Sequence, residues 1–106
     1  MRHGKQPIYE LSRIQAIVRD DSSKLYVTRT AATTAREILC DTEDIIECIL
    51  SLTAAQFYKS MSSDKRPDHY QDVYKMRFHG YAVYLKLQLT VRDEAVVISF
   101  KRDEDA

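Results

Sequence analysis

The sequence predicts an α+β protein with helices packed on one face of an antiparallel sheet, and three observations carry that expectation. Apolar residues in the first half recur at helical spacing. In the second half they alternate, the mark of strands with one covered face. The chain has 106 residues but only two glycines and two prolines, which suits one domain with few loops and little disorder. Helices first and a meander after is the order in which helices segregate to one side of a sheet.

From Ile8 onward, Leu11, Ile14, Ile17 and Val18 share one helical face, until Asp20 to Ser23 interrupts it. Lys24 to Val27 reads as a short strand. Thr30 is placed to cap a second helix running through Leu39, with Ala31, Ala35, Ile38 and Leu39 turned inward. Asp41 or Thr42 starts a third, whose first-turn acids suit the helix dipole and whose buried stripe is Ile45, Ile46, Ile49 and Leu50. Thr53 to Gln56 fits a capping box, predicting a short helical turn that carries Phe57 and Tyr58.

After a polar loop from Ser62 to Asp68 the period changes. Tyr70 to Arg77 is predicted as a strand, joined through a tight His79–Gly80 turn to a second over Tyr81 to Leu89. Arg92, Asp93 and Glu94 hold the next turn, and Val96, Ile98 and Phe100 are expected to point inward from a third strand. A two-residue turn at His79–Gly80 sets Lys75 opposite Tyr84, Val73 opposite Lys86 and Gln71 opposite Gln88. An even-length turn near Asp93–Glu94 then brings Lys101 to the face of Tyr84 and Lys86. Gln71, Lys75, Tyr84, Lys86, Gln88 and Lys101 thus share one cationic face with no acid among them. Such a face is compatible with ordinary solvation. Clustered lysines repel one another, however, and suit a polyanion: lysine binds phosphate as a point charge, and tyrosine offers a ring to a base and a hydroxyl to a proton.

Composition narrows the function classes. Sixteen basic residues balance sixteen acidic ones, so any nucleic-acid site must be local. The bases gather at Lys59, Lys65, Arg66, Lys75, Arg77 and Lys86, and the acids at Asp41 to Glu47 and at Asp103, Glu104 and Asp105. The opening stretch is polar and no apolar run is long enough to span a membrane, which predicts a cytoplasmic protein with no membrane partner. Cys40 and Cys48 lack the spacing of a metal or redox pair and read as half-buried free thiols. His3, His69 and His79 match no zinc set, so no metal site is predicted. Ser60, Ser62 and Ser63 lack the glycines of a nucleophile elbow. Tyr9, Tyr26 and Tyr58 are expected at the core edge.

Phe57-Tyr58-Lys59-Ser60-Met61, Gln71-Asp72-Val73-Tyr74, Val83-Tyr84-Leu85-Lys86 and Ser99-Phe100-Lys101, in this order and spacing, resemble the motility quorum-sensing regulator toxins. The first half is similar more loosely, in length, helical order and Val27-Thr28-Arg29-Thr30. The resemblance implies the fold of the RelE-like ribonucleases and a single endoribonuclease domain over residues 1–106. It further implies sequence-selective cleavage of mRNA, usually at GCU, without a metal or other cofactor. The implied partner is a cognate antitoxin that carries its own zinc and DNA-reading helix-turn-helix. The family's proposed catalytic residues fall on Lys59, Gln71, Tyr84 and Lys101, with Lys75, Arg77, Lys86, Gln88 and His69 as candidate RNA contacts. Two departures stand out: a turn near Asp93–Glu94 two residues longer, and His69–Tyr70 where the family often has a tryptophan. A non-catalytic RNA- or protein-binding module on the same fold is the alternative. A DNA-binding regulator fits poorly, given the neutral charge and the missing helix-turn-helix pattern.

Overall fold

The computed structural model describes residues 3–62 and 69–105, so Lys65 and Arg66 of the predicted basic cluster, like most of the polar loop, lie outside the described residues. Strand β1 is His3–Gly4, followed by helix α1 (Leu11–Asp20), strand β2 (Leu25–Val27), helix α2 (Arg29–Glu37) and helix α3 (Thr42–Ser51). Strands β3 (Phe57–Ser62), β4 (Tyr70–Phe78), β5 (Tyr81–Leu89) and β6 (Ala95–Arg102) complete a six-stranded sheet of order β1-β3-β4-β5-β6-β2. The fold is α+β, with three helices against a mostly antiparallel sheet. The exception is β2, which pairs parallel to β6; the helices and strands between them supply the long connection that parallel pairing requires.

The helices form where the apolar stripes predict, with shifts set by capping. Helix α1 begins at Leu11, because Ile8 and Tyr9 are held outside it: their amides donate to the buried Asp72 carboxylate at 3.1 and 2.9 Å. Helix α2 starts earlier than expected. Thr28, not Thr30, is its cap, accepting from the Ala31 amide at 3.1 Å while its own hydroxyl donates to the Ile98 carbonyl at 3.2 Å. That helix also ends before Leu39. The Cys40 amide donates to the Ala35 carbonyl and the Leu39 amide to Arg36, a Schellman closure that puts Leu39 at φ 62° and turns it outward, 82% exposed. In α3, capped by the Asp41–Asp44 box, Ile45, Cys48 and Ile49 are buried, whereas Leu50 is exposed and Ile46 only partly covered. Both thiols are fully buried and free rather than half-buried.

The core lies between these helices and one sheet face. Ile14, Val18, Ala31, Ala35, Ile45 and Ile49 meet Tyr74, Phe78, Leu85, Leu87, Val97 and Phe100. Tyr9 packs at its edge as expected, but Tyr26 is 65% exposed.

Two irregularities in the sheet decide what the other face presents. The capping box at Thr53 forms and holds a single 3-10 turn over Ala54–Gln56, but Phe57 and Tyr58 belong to β3 and not to that turn. A register shift between Phe57 and Lys59 against β4 then breaks the alternation there. Phe57 packs edge-on against Tyr74 in the core, while Tyr58 and Lys59 both reach lysines or cavity on the open face.

The second irregularity concerns β6. Leu89 pairs with Ala95, leaving Thr90 to Glu94 between them, an odd rather than even loop. A bulge compensates: Leu87 pairs with Val97 but Lys86 with Ser99, so Ile98 is extra. Val97, not Val96 or Ile98, therefore points inward, and Phe100 and Lys101 recover the predicted sides.

Candidate functional site

The open face of β4, β5 and β6 carries two rows of side chains. Lys75, Tyr84 and Lys101 are register partners in one, and Lys59, Val73, Lys86 and Ser99 in the next. His79 and Gly80 take positive φ (50° and 84°), the two-residue turn that imposes this register. Val73, between Lys59 and Lys86, is fully buried even on this side. Lysine stems are long enough to cover such a position while their ammonium groups stay wet.

A shallow cavity of about 260 Å³ opens among these rows, bringing together Lys59, Lys75, Tyr84 and Lys101. Around the rings the lysines are close. Lys75 Nζ lies 4.0 Å from the centre of Tyr58 and Lys59 Nζ 5.5 Å from it, while Lys101 and Lys86 Nζ lie 5.2 and 5.8 Å from the centre of Tyr84. Such contacts are favourable cation–π geometry. Burial pushes the Tyr84 phenol above its ordinary value; Lys75 opposes that shift, and Tyr58 and Asp103 add to it. Tyr84 is therefore a protonated hydrogen-bond donor at neutral pH and a poor base.

The remaining sequence-predicted residues spread outward. Gln71 is half-buried on β4, opposite Met61 and outside the cavity lining. It lies four residues from Lys75, roughly 13 Å along the strand. Gln88 pairs with Val96 and His69 precedes β4, both half-buried and neither lining the cavity. Arg77 is exposed beside the hairpin turn, donating to the Gly80 carbonyl at 3.1 Å, and borders a smaller depression shared with Lys75 and Asp103.

Two features of the site escaped the sequence reading. Tyr58, expected at the core edge, is instead 52% exposed and lines the cavity. The face is also not free of acid. Asp103, Glu104 and Asp105 turn back beyond β6 to line the same cavity, and Asp103 Oδ2 lies 3.3 Å from Lys75 Nζ. The acid cluster was visible in the sequence, and Asp103, two residues beyond Lys101, falls on the same face by alternation once the β5–β6 pairing is seen to reach Ala82.

One group of possible metal ligands exists among the described residues, Asp44, Glu47 and His79, formed by α3 and the β4–β5 turn. The imidazole stacks on Phe78, with Nδ1 3.9 Å from Asp44 and Nε2 3.7 Å from Glu47. Each nitrogen faces a different carboxylate, as for a ring held between two anions. Among the described residues, no helix is long and apolar enough to cross a membrane.

Comparison with known proteins places the chain in a family. The chain is 32% identical over 97 residues to the mRNA interferase toxin MqsR of Escherichia coli, an alignment covering 92% of this chain and 95% of that protein. The model of a family described as motility quorum-sensing regulator, toxin of MqsA, matches residues 6–102, a span that takes in all three helices and the whole lysine-bearing face. The chain belongs to the motility quorum-sensing regulator toxin family.

Proposed function

We propose that this protein is an mRNA interferase, a single-domain cytoplasmic toxin that cuts RNA and is neutralised by a cognate antitoxin. The observation that carries the reading is the convergence of Lys59, Tyr84 and Lys101, with Lys75, in one cavity of about 260 Å³. The relative named an mRNA interferase toxin adds support.

Cleavage proceeds by attack of the adjacent 2′-hydroxyl on phosphorus, in line with the departing 5′-oxygen. Lys59 and Lys101 neutralise the charge that grows on the phosphoryl oxygens. Tyr84, held protonated by its surroundings, donates to a phosphoryl oxygen or to the leaving oxygen. Gln71, farther along the face, orients the neighbouring nucleotide, and Arg77, Lys86, Gln88 and His69 extend the surface for the flanking strand. The chemistry in this reading is metal-independent, with the charge stabilisation coming from the cavity's own lysines. Selectivity is of the GCU type, and the partner is an MqsA-like antitoxin that carries zinc and a helix-turn-helix.

Purified protein incubated with RNA in EDTA tests the reading. Ends bearing 2′,3′-cyclic phosphate are expected, and a deoxy substitution 5′ of the cut blocks the reaction. Lys59→Ala, Tyr84→Phe and Lys101→Ala each slow it while the fold survives. RNA retarded on a gel without new ends, or full activity in all three variants, overturns it.

A further inference from the structure

The cavity contains cations and phenols, but the reaction also needs a group that accepts a proton. A raised Tyr84 phenol is badly suited to that task, and lysine ammonium groups near neutrality are donors. No histidine is among the described residues that line the cavity. Of the carboxylates there, Glu104 and Asp105 are exposed, whereas the Asp103 side chain is only 9% exposed.

Asp103 is also held in place. Its amide donates to the Ala82 carbonyl at 2.7 Å, continuing the β5–β6 pairing one residue beyond Arg102. Its Oδ1 accepts the Asp105 amide at 3.1 Å, and its Oδ2 faces Lys75 Nζ at 3.3 Å. Each carboxylate oxygen keeps a second lone pair. The charged and titratable groups around it are Lys75 and Arg77 from β4, Tyr58 and Lys59 from β3, Tyr84 from β5, Lys101 from β6, and its own neighbours Glu104 and Asp105.

We propose that the Asp103 carboxylate is the general base that takes the 2′-hydroxyl proton, an inference that rests on the ribonuclease reading above. The step balances without a co-reactant. The O2′–H bond breaks and its proton passes to Asp103; the O2′–P bond forms as the P–O5′ bond breaks. The 5′-oxygen takes a proton from Tyr84 or a neighbouring lysine, and the product is a 2′,3′-cyclic phosphate. Asp103 then releases its proton to solvent and the donor regains one. Lys75 holds the carboxylate in its orientation through the 3.3 Å ion pair. The pairing places the base and the phosphate-binding lysines in one fixed arrangement, so that neither must be ordered by substrate.

The test is the single-turnover rate on a short RNA across pH, for the unsubstituted protein, Asp103→Asn and Asp103→Glu, with RNA affinity measured alongside. The unsubstituted rate is expected to fall as pH is lowered, because a protonated carboxylate accepts nothing. Asp103→Asn is expected to lose about 100- to 10,000-fold in rate, the usual range for a general base, and to lose that acid limb. Asp103→Glu keeps the limb at a reduced rate. An Asp103→Asn protein with unchanged rate and profile overturns the inference. So does one that is slow but keeps its acid limb and binds RNA more weakly, since Asp103 would then act only by holding Lys75. If the unsubstituted protein makes no cuts at any pH, the ribonuclease reading falls and this inference with it.

Discussion

The two faces of the sheet are made by the same strands and differ in almost every physical respect. On the covered side, Tyr74, Leu85, Leu87 and Phe100 are essentially inaccessible and belong to the core shared with the helices. On the open side, one residue along each strand, Lys75, Lys86 and Lys101 set their ammonium groups against the rings of Tyr58 and Tyr84. The covered face draws its energy from apolar burial and close packing, which are large, non-directional and indifferent to chemistry. The open face assembles like charges at some cost to stability, the usual sign that a surface is arranged for a ligand rather than for the fold. Stability and activity should therefore separate cleanly between the two sides.

The harshest way to probe that separation is on the covered side. Phe100→Ala removes a fully buried ring and is expected to cost about 3–5 kcal/mol, read as a lower urea midpoint. Its neighbour tests the converse. Lys101→Ala should leave the urea midpoint nearly unmoved yet slow RNA cleavage by about 100-fold, equivalent to roughly 2.7 kcal/mol of barrier. A large loss of stability from Lys101→Ala would break the comparison.

Alkaline pH sharpens it further. Burial pushes the Tyr74 phenol from 10.0 to about 12 and the Cys48 thiol from 9.0 to about 12. The folded chain thus holds protons that the unfolded chain releases. Stability from these groups is complete below about pH 9 and is lost as pH climbs toward 12. Tyr74→Phe and Cys48→Ala should each flatten the decline seen in alkaline unfolding curves.

Smaller effects are expected where packing contributes little. Thr28→Ala removes the α2 cap and its tie to β6, for about 1 kcal/mol by urea unfolding. Arg13→Ala breaks an ion pair with Asp93 whose side chains are both 51% exposed, and should change stability by less than about 0.5 kcal/mol.

How much of this was legible in the residues depends on how far each signal reaches. The helical stripes at Ile14 to Val18 and Ile45 to Ile49, and the alternation from Val83 to Leu89, are local periodicities, and they located those elements and their inward faces correctly. The His79–Gly80 pair set the register that aligns Lys75 with Tyr84. Helix ends were harder. Thr28 and Thr30 are equally able to cap, and the choice went to the residue that also reaches the Ile98 carbonyl. Leu39 looked like core until the Schellman closure turned it outward.

By itself the sequence determined which side chains of a regular strand share a face, because strand geometry forces alternation, and with it the company of Tyr84 and Lys86. Tertiary structure alone decided the two bulges, at Phe57–Lys59 and at Ile98, and the return of Asp103 to Lys75. A bulge is a compromise between neighbouring strands, and how far a ladder runs past its last regular pair depends on the partner strand and on the charges it meets there. Neither is written in the period of one segment.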